Sequence, residues 1–263
     1  MRVGLDDIIA ATRRRLSASG PDGVRRWERL AARHEPRGFR RNLAAAEGVA
    51  VIAELKKASP SKGLIREKFD PAVLAKELED AGATALSVLT EPEFFQGSLA
   101  NLEKASTTTA LPCLRKDFIV DERQILEARA HRADAILLIV AALDQPTLLL
   151  LSRQAREHGL DVLCEAHDEE ELQRALDAGC DLVGINARDL RTFHVNLETL
   201  FRLAKKIPPK VLAVAESGIG SSNDISQLRA AGYGAFLIGE SLMKAPRPGE
   251  ALRGLLGKPV TIA

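Results

Sequence analysis

The sequence predicts an α/β fold of the closed (βα)8, or TIM, barrel type. Three observations carry this. Strand-length apolar runs alternate with amphipathic segments of helix length, eight times over. Three of those segments end in a small-residue glycine pattern: Asp80-Ala81-Gly82-Ala83, Asp177-Ala178-Gly179-Cys180 and Ala230-Ala231-Gly232-Tyr233. Glycine there caps a helix before the next strand. The length of 263 residues is the usual size for eight such units. Strict alternation implies a parallel sheet with crossover helices, and eight units close it. An open doubly wound sheet is the alternative, but no G-x-G-x-x-G follows the first run to support it. The chain therefore reads as one domain over 1–263, a helical extension to about residue 47 and a barrel from about 48.

In chain order, Leu5, Ile8, Ile9, Thr12 and Leu16 recur at helical spacing, with Asp6 and Asp7 in the first turn where they favour the helix dipole. Gly20-Pro21-Asp22-Gly23 breaks the pattern, and a second helix is expected from about Val24 to Ala32. Strands are then expected near 50–54, 84–89, 111–115, 134–139, 161–165, 181–185, 211–215 and 235–238. Helices fall near 71–81, 98–108, 121–131, 144–158, 168–178, 196–205, 221–231 and 248–256. Asp70-Pro71, Asp144-Gln145-Pro146 and Asp168 have the residue types of helix starts.

Composition narrows the function classes. A net charge of +1, with 46% hydrophobic and 28% charged residues, gives no reason to expect nucleic-acid or membrane-surface binding. The arginines at 13–15, 25, 26, 37, 40 and 41 interleave with acids and read as a solvated helical face. Cys113, Cys164 and Cys180 match no zinc or redox spacing and read as free, small hydrophobes in a reducing compartment. Met1 to Asp7 lack a secretory core, and the longest apolar run, Ala135 to Leu143, is too short to span a membrane. A soluble cytoplasmic protein is expected.

Chemistry in such barrels sits at the C-terminal strand ends. The first run ends in Glu54, Lys56 and Ser59, with the two charges on one side of an extended backbone. That stretch alone reads equally as a strand end surfacing into solvent. Later ends are polar too: Arg115-Lys116-Asp117, Glu165, Asn186 with Arg188, Glu216-Ser217-Gly218 and Gly239-Glu240-Ser241. The fourth, Ile139-Val140, carries no charge. Glycines after strands seven and eight suit a phosphate held by backbone N–H groups. Phe94-Phe95 and Phe118 are core residues by default, or a wall for a flat ligand. His167 forms an E-x-H with Glu165, but no second cluster supports a metal, and none is expected. His34, His131 and His158 fall on helical segments and read as surface.

Taken together, Ile52-Ala53-Glu54-Leu55-Lys56-Lys57-Ala58-Ser59-Pro60-Ser61, Phe94-Phe95-Gln96-Gly97-Ser98, Leu114-Arg115-Lys116-Asp117-Phe118, Cys164-Glu165-Ala166-His167, Gly184-Ile185-Asn186-Ala187-Arg188-Asp189-Leu190, Ala215-Glu216-Ser217-Gly218-Ile219 and Ile238-Gly239-Glu240-Ser241 resemble indole-3-glycerol-phosphate synthase of tryptophan biosynthesis. The resemblance covers nearly the whole chain, extension included. It implies a carboxy-lyase that closes the indole ring of a carboxyphenylamino-deoxyribulose phosphate, releasing carbon dioxide and water, with no cofactor and no metal. It implies Lys116 as general acid with a pKa lowered toward a useful value, Glu165 as general base, and Glu54 and Lys56 as a further catalytic pair whose division of labour stays open. Asn186 and Ser217 complete the catalytic set. Ser59, Arg188 and Glu216 join the substrate-binding set. Phe95 and Phe118 would wall the anthranilate ring, and Ser217, Gly218, Gly239 and Glu240 would hold phosphate through N–H groups. Glu240 departs from the small polar residue of the family pattern, which its N–H alone can accommodate if the side chain turns away. The expected partner is a small phosphorylated substrate, met by a monomer in weak association with other enzymes of the pathway. A phosphoribosylanthranilate isomerase, the nearest rival, needs a Cys at the end of strand one, and none stands there.

Overall fold

Residue parity sorts the barrel into an inside and an outside. The computed structural model describes residues 3–18, 21–190 and 192–259. Its eight main strands are β1 (Ala50–Leu55), β2 (Ala85–Leu89), β3 (Cys113–Lys116), β4 (Ala135–Ile139), β5 (Asp161–Ala166), β6 (Leu182–Asn186), β7 (Leu212–Glu216) and β8 (Ala235–Ile238). All pair in parallel, and β1 closes the ring by pairing with both β2 and β8. Side chains alternate across a strand. Ile52, Leu114, Leu137, Leu163, Leu182 and Val214 accordingly fill the interior. Val51, Leu86, Ile136, Val162, Val183 and Phe236 face the helices. Near-continuous apolar strands are what burial on both faces requires.

The helices are α1 (Leu5–Ser17), α2 (Pro21–Ala31), α3 (Phe39–Ala44), α4 (Pro71–Ala81), α5 (Leu99–Thr108), α6 (Arg123–Ala130), α7 (Gln145–Glu157), α8 (Glu169–Asp177), α9 (Glu198–Ala204), α10 (Ser222–Ala231), α11 (Glu240–Lys244) and α12 (Pro248–Leu255). The expected starts are built as read. Asp70, Asp144 and Asp168 each accept a backbone N–H from the first turn of α4, α7 and α8. Gly82 and Gly232 end α4 and α10 at φ of 102° and 116°, a region that only glycine enters cheaply. Among the described residues no helix is long and apolar enough to cross a membrane.

The extension reaches both ends of the barrel. Phe39 and Leu43 of α3 pack into the interior beneath Ala50 and Ala135, where the strands begin. At the opposite end Ile8 of α1 joins the cluster that contains Phe118, and Arg15 lies 3.5 Å from both Glu91 and Asp117. Helix α2 runs between them along α6.

Several sequence expectations change here. The short α3 was not foreseen, because six residues give too little periodicity to read. Pro21, Asp22 and Gly23, expected to break the chain between helices, are helical, for α2 spans Pro21–Ala31; of the expected break only Gly20 lies outside the described residues. Arg37 and Arg40 are not a solvated face. The Arg37 guanidinium grips Asp134 at 2.6 Å and donates to the Thr109 carbonyl, and Arg40 N–H donates to Asp161. His34 is buried, not on the surface, and lies 3.0 Å from Asp134. His131 is half-buried against Glu103, and His158 is exposed as read. Cys164 and Cys180 form a disulfide, which corrects their reading as free thiols. Both face the helix layer, and α8 carries the chain back until their Cα atoms are 6.5 Å apart, a proximity that linear spacing hides. Cys113 remains free and buried, its thiol pushed up to about 12 by burial.

Candidate active site

A 680 Å³ cavity opens at the C-terminal end of the barrel. Parity builds its floor. The interior positions continue upward from the apolar layer as Glu54 on β1, Lys116 on β3, Glu165 on β5 and Glu216 on β7. These are the four odd strands, whose side chains share a layer in such a barrel. Lys116 Nζ is 2.9 Å from Glu165 Oε2 and 3.0 Å from Glu216 Oε2. Lys56 Nζ is 2.5 Å from Glu54 Oε2. The three carboxylates are nearly inaccessible, and the ammonium groups reach the cavity.

The electrostatics separate these groups. Burial pulls the pKa of Lys116 down, but Glu165, Glu216 and Glu54 together outweigh it and raise it above the ordinary lysine value. This overturns the expectation of a lowered lysine pKa: its neighbours are anions, not cations. Burial also pushes Glu165 up, but Lys116 and His167 hold it well below the usual carboxylate range. Among the described residues Glu216 has no second cation at ion-pair distance. Burial, helped by neighbouring Glu165 and opposed by Lys116, raises it to about 8. The two carboxylates are thus pushed in opposite directions, Glu165 toward the anion and Glu216 toward the acid, the separation that a general base and a general acid need.

The walls supply shape. Phe95 and Phe118 meet with ring centroids 6.0 Å apart and planes tilted by 38°. Glu91 sets that wall, accepting the N–H groups of Phe94 and Phe95 at 2.7 and 3.1 Å. Leu137 and Ile139 of β4 line the cavity beside them, so this strand end, which carries no charge, adds an apolar side to the cavity. After β1 a small hairpin, Ala58–Ser59 against Gly63–Leu64, carries Ser59 to Lys62 along the rim.

The remaining predicted residues fall around the same space. Asn186, Arg188, Ser217, Gly218, Gly239 and Glu240 all line it. Asn186 Oδ1 accepts Arg188 N–H at 3.0 Å. Ser217 and Gly218 have φ of 67° and 79°, and a Cβ at Gly218 would stand 2.7 Å from Val195 Cγ1. A non-glycine residue held left-handed at a cavity edge is a strained feature of the kind that clusters at functional sites. The Glu240 carboxylate is held by two cations. It pairs with Lys244 at 2.6 Å and Arg188 at 3.3 Å, and these two cations lower its pKa against the pull of burial.

Two placements differ from the sequence reading. Glu216 is expected in the substrate-binding set, yet its carboxylate meets Lys116, and strand parity is the signal in the sequence for that placement. Arg115 at the end of β3 faces outward, buried between Asp117 and Glu127, and holds no place in the cavity.

A family model described as Indole-3-glycerol phosphate synthase matches residues 5–255. The protein of that name from Koribacter versatilis is 59% identical, over 96% of this chain and 98% of its own. That of Desulfotalea psychrophila is 46% identical, over 95% and 97%. Among solved structures, 3-hexulose-6-phosphate synthase superposes with a TM-score of 0.65 at 15% identity, over 80% of this chain and 99% of its own, which speaks to the fold alone.

Proposed function

The chain belongs to the indole-3-glycerol phosphate synthase family, and from that premise we propose how its rim residues divide the reaction. The activity is the conversion of 1-(2-carboxyphenylamino)-1-deoxyribulose 5-phosphate to indole-3-glycerol phosphate, a carboxy-lyase step of tryptophan biosynthesis. The observation that carries the division is the contact of Lys116 with both Glu165 and Glu216 beneath an aromatic wall.

The anthranilate ring packs on Phe95 and Phe118 above Leu137 and Ile139. Its carboxylate-bearing carbon attacks the ketone carbon, and the carbonyl electron pair moves to oxygen. Lys116 gives that oxygen its proton. The raised lysine pKa does not forbid this, because a developing alkoxide is more basic than an amine, and until transfer the ammonium stabilises it by charge. The carboxylate carbon then leaves as carbon dioxide, and its bonding pair restores the aromatic ring. In the dehydration Glu165 takes the proton from the methylene beside nitrogen, the new double bond forms, and hydroxide departs as water with a proton from the Glu216 carboxyl. Lys56, steadied by Glu54, stands near the substrate carboxylate. Ser59, Asn186 and Arg188 orient the sugar hydroxyls and the carboxylate. The N–H groups around Ser217, Gly218, Gly239 and Glu240 take the phosphate. In this reading the enzyme acts in the cytoplasm and as a monomer, and the closed barrel leaves no open strand edge for a second chain to extend.

Purified protein incubated with the carboxyphenylamino substrate, without added metal, should develop indole fluorescence. Folded protein that yields none would overturn the reading.

A further inference from the structure

The E-x-H motif that carried no metal reading has a different place in the site. His167 lies just past the end of β5. Its Nδ1 is 2.9 Å from Glu171 Oε2 on α8, and its Nε2 is 3.3 Å from Glu165 Oε1. Its backbone N–H donates to the same Glu171 oxygen at 2.8 Å. Glu171 is itself fixed in the first turn of α8, where its N–H is capped by Asp168. Neither His167 nor Glu171 lines the cavity, whereas Glu165 does. The imidazole therefore stands behind the carboxylate and has no contact with the reacting atoms.

A neutral imidazole carries one N–H, so it can satisfy only one of two flanking carboxylates. Contact with a carboxylate at each ring nitrogen favours the imidazolium. The groups that face it are Glu165, with Lys116 beyond, on the barrel side, and Glu171 on α8; Asp168, Glu169 and Glu170 at the head of that helix are exposed. Burial opposes the charge, and the two carboxylates still raise the ring to about 10.

Glu165 and Glu216 would otherwise be near-equivalent partners of one lysine, at 2.9 and 3.0 Å. Two like carboxylates around one cation share a proton, and neither is assigned a role. Behind Glu165 stands a second cation. Among the described residues none stands behind Glu216 at ion-pair distance, and its Oε1 has no hydrogen-bond partner.

We propose that His167, anchored by Glu171, is the positioning residue that decides which of the two carboxylates serves as the base: by its charge behind Glu165 it turns that group's Oε2 to Lys116 and the cavity and leaves the proton to Glu216. This rests on the reading of Glu165 as general base given above. The tie is one of charge, since the His167 Nε2 is at ion-pair distance without the alignment of a hydrogen bond.

The test is steady-state kinetics by indole fluorescence across pH for wild type, His167→Gln, Glu171→Gln and Glu165→Gln, with folding checked by circular dichroism. His167→Gln keeps a donor and loses the charge. Its kcat should fall by about 10–100-fold with KM within about twofold, and the acid limb of its kcat profile should move up by about one pH unit or more. Glu171→Gln should show a smaller shift of the same sign, although it touches neither substrate nor base. Wild-type kcat and acid limb in folded His167→Gln would overturn the proposal. If that variant does not fold, an unchanged kcat and limb in Glu171→Gln overturns it instead. Glu165→Gln should be inactive; wild-type turnover there would remove the base assignment, and the positioning proposal with it.

Discussion

Lys116 Nζ lies 3.0 Å from Glu216 Oε2, while the other oxygen of that carboxylate is buried against Gly184, where a methyl group would collide with it. A buried carboxyl with one oxygen on a cation and one facing bare backbone is a poor anion, and its pKa rises to about 8. It is a proton donor below that value and an anion above it. The expected consequence is a basic limb in kcat near pH 8 that Glu216→Gln lacks. The same variant should lose about 10²–10³ in kcat at neutral pH, because the amide donates no proton. Stability follows the same sign. The folded value is raised, so the stabilisation is complete below the unfolded carboxylate range and is lost as pH rises through about 8. Melting from pH 5 to 9 should therefore show a steeper decline for wild type than for Glu216→Gln.

Lys116→Met keeps much of the side-chain bulk and removes the charge. Expected is a fall in kcat of about 10³–10⁴ with the barrel still folded, because a general acid and the main stabiliser of the oxyanion go together. Folding survives since Glu165 retains His167 and Glu216 is already inclined to hold a proton. Single-turnover assays should show the block before carbon dioxide release. Near-normal turnover would remove Lys116 from the role of acid.

The barrel itself was legible because its signal is local and repeated. Eight apolar runs, three aspartate caps and the glycine endings each state one element, and the strands fall within a residue or two of their expected bounds. Most of the site was legible for a related reason: the C-terminal strand ends converge by rule, so strand order alone places Glu54, Lys116, Glu165 and Asn186 together. What stayed hidden depends on side-chain direction and on pairs distant in sequence. Glu216 looked like part of a glycine loop. The pKa of Lys116 could not be signed without knowing that three carboxylates face it. Asp134 gathers His34 and Arg37 from about 100 residues away, and nothing in either segment announces the other. The Cys164–Cys180 contact is hidden by the helix that makes it.

Gly239 separates two readings of one residue. As a phosphate contact it predicts an effect on KM. The structure adds a neighbour: a Cβ there would collide with the carboxylate of Glu54 and stand 2.9 Å from the Glu54 Cβ. The backbone is not at issue, since φ is −132°, which any residue adopts. Gly239→Ala should therefore push Glu54 off Lys56 and lower kcat by about tenfold or more, alongside any rise in KM. Kinetics with kcat unchanged would show that the Glu54 position carries no weight in the chemistry.

Asp134 ties the extension to the start of β4, and its contribution can be separated from catalysis. The carboxylate is fully buried, accepts Arg37 N–H at 2.7 Å, the Arg37 guanidinium at 2.6 Å and Cys113 N–H at 2.6 Å, and contacts His34 at 3.0 Å. Burial raises its pKa, and the His34 and Arg37 hydrogen bonds more than reverse this and leave it lowered. Asp134→Ala leaves a partly buried guanidinium, a buried imidazole and a buried strand N–H without their common acceptor, and should cost about 3–5 kcal/mol in chemical denaturation. A lowered folded value means that the stabilisation is present above the unfolded carboxylate range and lost as pH falls through the folded one. The gap between wild type and variant should thus hold at neutral pH and narrow only in acid below the ordinary aspartate range. At a temperature where the variant stays folded its kcat should match wild type, because Asp134 lies at the end of the barrel opposite Lys116. A kcat that falls while the protein remains folded would mean that the extension reaches the chemistry through α1 and the Arg15 contacts at the rim, and not through stability alone.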